Sequence, residues 1–368
     1  MAYRRAVIPA LVGGLLLTLL LWWAGASAQA LQLRGSTSVL NIESVSELQR
    51  WLAPWSYDSS TASADGVTSG GTQYTELYGT AMQIRFVAVF GFFVAGALLL
   101  VRRIPPTRGR TPATFLALWA WGPVAGTLAV TLSAPWLIAS RGHGSYRILP
   151  QLAGVIASSG PVMVFAALVT SLVTVLVARI TAKGEDPLPR VDVPPRAARL
   201  AASVGTAIVA LSLVVLSYGS VAAWIQTSFV GGGLLSEPGD LLREWLLLGG
   251  WAGPTTAPLG DWLLYRAADV LMLAVVWWSL RLLPGLLTRT TVPAMAVGAM
   301  CAIVLGLLAS QLLHMAVDDS GSVWGPVHLF SSLGADVPAA LTFGVLAGTA
   351  ALVTLRLTGD RAAATSSG

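Results

Sequence analysis

The sequence predicts an all-α protein, a polytopic membrane bundle of eight transmembrane helices. Three observations carry that expectation. First, 55% of the 368 residues are hydrophobic and only 11% are charged, against about 25% charged in a soluble domain. Second, the mean hydropathy is +0.72, too apolar for a water-covered body of this size. Third, apolar runs of nearly 20 residues, the length that crosses a ~30 Å hydrocarbon core as helix, recur along the whole chain. They fall at 6–26, 82–101, 113–139, 157–178, 200–224, 267–283, 294–316 and 337–355. Lipid cannot satisfy an open backbone, so each run is expected to be helical.

The first run poses a choice. It follows Arg4 and Arg5 and ends in "WWAGASAQA" (22–30), where Ala26-Ser27-Ala28 resembles a signal-peptidase site. Its apolar stretch Ala6–Ala24 is long for a signal sequence, whose apolar core runs roughly 7–15 residues. It is read as a retained span, for a further reason given below.

Charge sets the orientation. With a cytoplasmic N-terminus, 15 of the 22 basic residues and only 4 of the 17 acidic ones fall on the inner side. That is the positive-inside pattern, so the pI of 9.8 reflects topology and does not call for a nucleic acid partner. The short inner loops carry proline, as in "RRIPPTRGRTP" (102–112) and "KGEDPLPRVDVPPR" (183–196). Two long outer loops, 27–80 and 225–266, follow the first and fifth spans. The first contains "SYDSSTASADGVTSGGTQ" (56–73), whose Ser, Thr, Gly and Asp predict a mobile stretch. Ten tryptophans (Trp22, Trp23, Trp51, Trp55, Trp136, Trp224, Trp245, Trp251, Trp262 and Trp324) lie at or beyond the outer span ends. An aromatic belt at the interface is the simplest reading of them.

An internal repeat organises the chain. An offset of 194 aligns residues 5–52 with 199–246 without a gap and matches 11 of 48 positions. About a tenth would match by composition alone. The matches include Gly25 with Gly219, Gln32 with Gln226, and Trp51 with Trp245. An offset of 177 aligns 111–182 with 288–359, pairing Thr114 with Thr291, Ser133 with Ser310 and Arg179 with Arg356. The expected domains are therefore two parallel four-helix repeats, 1–183 and 184–368, each beginning and ending inside. The first span then corresponds to the fifth, which lies mid-chain and cannot be a signal peptide. In loop layout alone each half resembles four-span proteins of the claudin type. It lacks the cysteine pair of a claudin first loop, and no function is carried over.

Candidate chemistry is sparse. "SELQRWL" (46–52) and "GDLLREWL" (239–246) occupy matching places in the long loops, and Ser46 or Asp240 can cap a short helix whose Leu and Trp share one side. His143, His314 and His328 are all expected outside, without the spacing of a metal site. No ionisable residue occupies the middle third of any span. Arg85, Arg266 and Asp269 lie near outer span ends, where Arg266 and Asp269 can pair at i,i+3. Snorkelling explains such residues, and a polar vestibule shared between the halves is the sharper alternative. The candidate outer-face binding residues are therefore Arg85, Arg266, Asp269, His314 and His328. The single Cys301 excludes a disulfide and a cysteine metal centre, and nucleotide, hydrolase and zincin motifs are missing. No catalytic residue, metal or cofactor is expected.

The functional expectation is a non-enzymatic complex subunit, scaffold or sensor of the plasma membrane, acting through its outer loops. Membrane lipids and other membrane proteins are the expected partners. A permease for an apolar or amphiphilic substrate and an outer-leaflet enzyme are the alternatives.

Overall fold

The computed structural model of the chain describes residues 3–30, 52–57, 71–106, 109–140, 148–157, 160–182, 193–228, 238–249, 259–317 and 325–366. Among these, regular structure is helical: α1 Tyr3–Ala30, a 3-10 turn Ala53–Trp55, α2 Gly71–Arg103, α3 Thr111–Ala139, α4 Ile148–Ala157, α5 Gly160–Thr181, α6 Pro195–Ala210, α7 Gly219–Ser228, α8 Pro238–Leu246, α9 Leu259–Leu286, α10 Val292–Val317 and α11 Gly325–Ser366. A π-helical segment, Leu211–Leu216, continues α6. Eight of the helices are long and apolar enough to cross a membrane, over Ala6–Ser27, Thr75–Arg103, Thr111–Ala139, Val162–Thr181, Pro195–Leu216, Trp262–Leu286, Val292–Ala316 and Asp336–Thr358. The chain is thus a multi-pass helical membrane bundle.

Three expectations need correction, and one unforeseen helix is added. The fifth run is not one helix to 224: it widens into the π segment, breaks at Ser217 and Tyr218, and restarts as α7. The chain before the fourth span forms a separate helix, α4. Both ends of the stretch expected to be mobile are structured, since Ser56 is buried and α2 begins at Gly71; residues 58–70 lie outside the described residues. Trp55 does not belong to an interfacial belt, because it is fully buried, whereas Trp22, Trp23 and Trp224 are exposed as expected.

The spans pack as two closed rings. In the first, α1 lies against α2, α2 against α3, α3 against α5 and α5 against α1; in the second the same order runs α6, α9, α10, α11 and back to α6. Within a membrane such packing depends on close backbone approach. Each ring has one four-residue glycine pair that supplies it. Gly122 and Gly126 of α3 face Ala167 and Met163 of α5, while Gly344 and Gly348 of α11 face Met300, Met295 and Ala296 of α10. At Gly348 an added Cβ would lie 2.5 Å from the Met295 carbonyl oxygen, so the two helices meet backbone to backbone.

The rings join through α3 against α10 and α11, and through α5 against α11. Three cross-ring hydrogen bonds tie the arginine-rich side and the helices just beyond it. Thr288 N donates to Arg103 O at 3.0 Å, Arg110 Nη2 to Gly285 O at 3.4 Å, and Cys301 Sγ to Ala117 O at 3.3 Å. Cys301 is buried and behaves as a small packing residue. On the opposite, long-loop side, α8 packs on α4, α7 and α11.

Candidate functional site

The polar chemistry of the described residues gathers on the long-loop side, in two separate places. The first is built around a middle segment of the first long loop, residues 53–57. There α1 carries Gly25, and a Cβ at that position would sit 2.0 Å from the Trp55 carbonyl oxygen. The missing side chain lets the turn Ala53–Trp55 press onto the helix. Trp55 meets Phe86 edge to face at 6.0 Å, Tyr57 stacks on Phe86 at 5.3 Å, and Tyr78 Oη donates to Ser56 O at 2.7 Å. Burial raises the Tyr57 phenol above its ordinary range, so it stays protonated at neutral pH.

Arg85 locks this arrangement. It is 1% exposed and does not snorkel. Its Nε donates to Ser133 Oγ of α3 at 2.9 Å, its Nη1 donates to Pro54 O, and its guanidinium lies 5.9 Å from the Trp55 ring centre. A planar fork of donors can serve a hydroxyl, a carbonyl and an aromatic face together, which an ammonium cannot. The side chain therefore joins α2, α3 and the loop.

The second place receives a middle segment of the second long loop, residues 238–249. The helix α8 is held to α7, because Gly239 lies against the Gln226 backbone, Gln226 Nε2 donates to Asp240 Oδ1 at 2.7 Å, and Arg243 Nη1 donates to Gln226 Oε1 at 3.4 Å. Asp240 lies inside the first turn of α8, where the helix dipole favours its charge. Beyond α8 the chain drops onto the π segment. Ser212 Oγ donates to Leu246 O at 2.6 Å and accepts from Leu248 N at 3.2 Å, and Ser217 Oγ donates to Leu248 O at 3.3 Å. The wide π turn makes room for this; Ser217 N reaches back five residues to Ser212 O at 3.1 Å. Gly249 then turns with φ 80°, a conformation costly for any residue with a Cβ, and donates its N–H to Asp336 Oδ1 of α11 at 3.1 Å.

The remaining candidates are spread around the second ring. Arg266 Nη1 pairs with Asp269 Oδ2 at 3.0 Å on α9, and its guanidinium lies 6.0 Å from the Trp262 ring centre. His314, in the last turn of α10, meets Tyr265 edge to face at 5.0 Å. His328 falls in the first turns of α11; its side chain, and His143, lie outside the described residues. The structure brings Arg266 and Asp269 together, and His314 close to their helix. The Arg85 contacts with Ser133, Pro54 and Trp55 lie in the first ring. Among the described residues no group of three His, Cys, Asp or Glu could hold a metal ion. Glu244 and Asp269 lie close enough to Asp336 for their charges to repel it. Glu244 has its own carboxyl raised, chiefly by burial and further by Asp240, against the opposing pull of Arg243.

Sequence reasoning passed over Ser212, Ser217 and Gly249, and weighed Asp336 only as a carboxylate near the outer histidines.

A cavity of about 290 Å³ lies between the rings, lined by Trp121 and Leu128 of α3, Trp245 of α8, Met300 of α10, and Leu341, Thr342 and Val345 of α11. Its size is at the low end of small-molecule pockets, and its lining is almost wholly apolar.

The fold and these sites define a multi-pass integral membrane protein with its polar anchors on one face. Comparison with models of known families, with curated proteins and with solved structures finds no match for the chain.

Proposed function

We propose that the protein is a non-enzymatic subunit, scaffold or sensor of a plasma-membrane complex, acting through the face that carries its long loops. The observation that carries this reading is the pinning of both long loops at a point near their middle. One is held by Arg85 and the other by Ser212, Ser217 and Asp336. A surface tied to the bundle in this way is preorganised for a partner, which lowers the ordering cost of binding. In this reading both termini are cytoplasmic and the pinned face is outside, as the arginine distribution requires. The two rings are parallel repeats, 1–183 and 184–368, and their common order of neighbours supports that descent.

Two measurements test the proposal. A cysteine placed at Ser63 should react with an impermeant thiol reagent in intact cells, and one at Thr107 should not; the buried Cys301 leaves a low background. Extracted in mild detergent, the protein should run as an assembly heavier than one 38.3 kDa chain. Arg243→Glu, on the exposed side of α8, should weaken that assembly. The cavity between the rings favours a second reading, a permease for an apolar or amphiphilic substrate. A monomeric protein that drives substrate flux in vesicles would replace the first reading with the second.

A further inference from the structure

We propose that the cavity between the two rings is a binding site for one acyl chain of a membrane lipid, a property that goes beyond the reading above and does not depend on it. Its position comes first. Trp121 and Leu128 flank the midpoint of α3 (Thr111–Ala139), two turns and about 10 Å of rise apart. The cavity thus runs along the membrane normal at the depth of the hydrocarbon core.

Its walls come next. Trp121 Nε1 already donates to Phe92 O at 3.1 Å, and Thr342 Oγ1 to Pro338 O at 3.3 Å. The other lining side chains on the spans are Leu128, Met300, Leu341 and Val345. A water needs two to four polar partners; the span side chains offer none, and Trp245 brings at most one indole N–H. Trp121 is also fixed in place: a Cβ at Gly96 would strike its indole at 1.9 Å, so the ring is wedged against α2 and does not swing in to fill the space.

Its opening selects the occupant. Val345 lines the cavity yet is 41% exposed, and its neighbour Leu346 is 48% exposed. The cavity therefore communicates with the surroundings at the level of the spans, and the surrounding medium there is lipid chain. A flexible, narrow, apolar chain is what such a slot accepts. Trp245 completes the lining from the long-loop side, so α8 borders the bound chain.

The test uses the full chain in nanodiscs containing a phospholipid with a diazirine midway along one chain. After brief exchange into detergent and irradiation, peptides containing Trp121–Leu128 and Leu341–Val345 should carry at least fivefold more label than the exposed α5 positions Leu172 and Leu176, which are 62% and 57% exposed. Val345→Trp, which fills the slot, should remove that excess and leave the α5 labelling unchanged. Equal labelling of cavity and α5 peptides would overturn the proposal. So would an unchanged signal in a folded Val345→Trp protein, or preferential labelling by a free apolar diazirine in place of the phospholipid. Should Val345→Trp fail to fold, quenching by brominated-chain phospholipid decides: Trp245→Phe should lose a quenched component that the unaltered protein shows, and no difference between the two overturns the site.

Discussion

Two long loops return to the same face of the bundle, and they are fastened by opposite chemistry. The first is held by a cation on a span, Arg85, which grips the Pro54 carbonyl and the Ser133 hydroxyl. The second is held by a carboxyl on a span, Asp336, which accepts the Gly249 N–H, and by two hydroxyls near the π segment. The packing beneath differs as well: Gly25 admits the first loop by lacking a side chain, whereas the widened π turn admits the second. What the halves have in common is the outcome, a loop segment closed onto the first helix of its ring. Backbone groups carried to that depth need partners, and a donor fork, a carboxylate or a serine can each supply them.

The largest effect should come from breaking the first fastening. Arg85→Met removes a buried guanidinium and leaves the Pro54 carbonyl and the Ser133 hydroxyl to find new partners. A loss of about 3 kcal/mol follows for a charge of this burial, read as a lower melting temperature in detergent and faster proteolysis within residues 27–80. Arg85→Lys should recover less than half of that, because an ammonium cannot span three partners. Full recovery by lysine would mean that charge alone matters there.

The second experiment compares positions matched by the 194 offset. Ser212 corresponds to Thr18. Ser212 bonds the incoming loop twice, whereas Thr18 Oγ1 donates only to Gly14 O of its own helix. Ser212→Ala should therefore cost about 2 kcal/mol, and Thr18→Ala less than about 0.5 kcal/mol. Similar melting shifts for the two variants would erase the distinction between the halves. A smaller loss, about 1 kcal/mol, is expected for Asp336→Ala. The carboxyl is only half-buried and accepts a single N–H.

The eight spans were legible because membrane insertion is a local property: length, apolarity and flanking arginines decide it. The same holds for the pairing of Arg266 with Asp269, three residues apart on one helix. Arg85 was legible as a residue of interest but not as a loop anchor. Its partners Pro54 and Ser133 lie 31 and 48 residues away, and a charge at a span end looks the same whether it snorkels or is buried. The π segment left no signal, since "LSLVVL" (211–216) differs from ordinary helix only in what packs against it. Asp336 opens its span and looks like an interfacial carboxylate until Gly249 arrives beside it. The matching loop helix expected at 46–52 lies outside the described residues except for Leu52, while its counterpart at 239–246 forms α8 as its pattern implied.

The smallest expected effect concerns the pH response of the second fastening. Glu244 is on α8, beside the chain that descends to Gly249. Its carboxyl is raised from the usual 4.5, first by burial, then by the charge of Asp240, with Arg243 opposing. Asp336 faces it from α11. A carboxyl whose folded value lies above its unfolded value stabilises the fold while protonated. That contribution is fully present below about 4.5 and is lost as pH rises through the raised folded value. The docking of α8 should therefore loosen as pH rises from below 4.5 toward neutrality. Hydrogen exchange of the Pro238–Leu246 amides, corrected for the intrinsic effect of pH, should be modestly faster at pH 7 than at pH 4. Glu244→Gln should show a smaller change than the unaltered protein. The first loop has Arg85 at its anchor and a Tyr57 phenol that stays protonated across this range, so the amides of residues 53–57 should show no corresponding change. A shared response in both loops would place the titrating group outside α8 and remove Glu244 from the explanation.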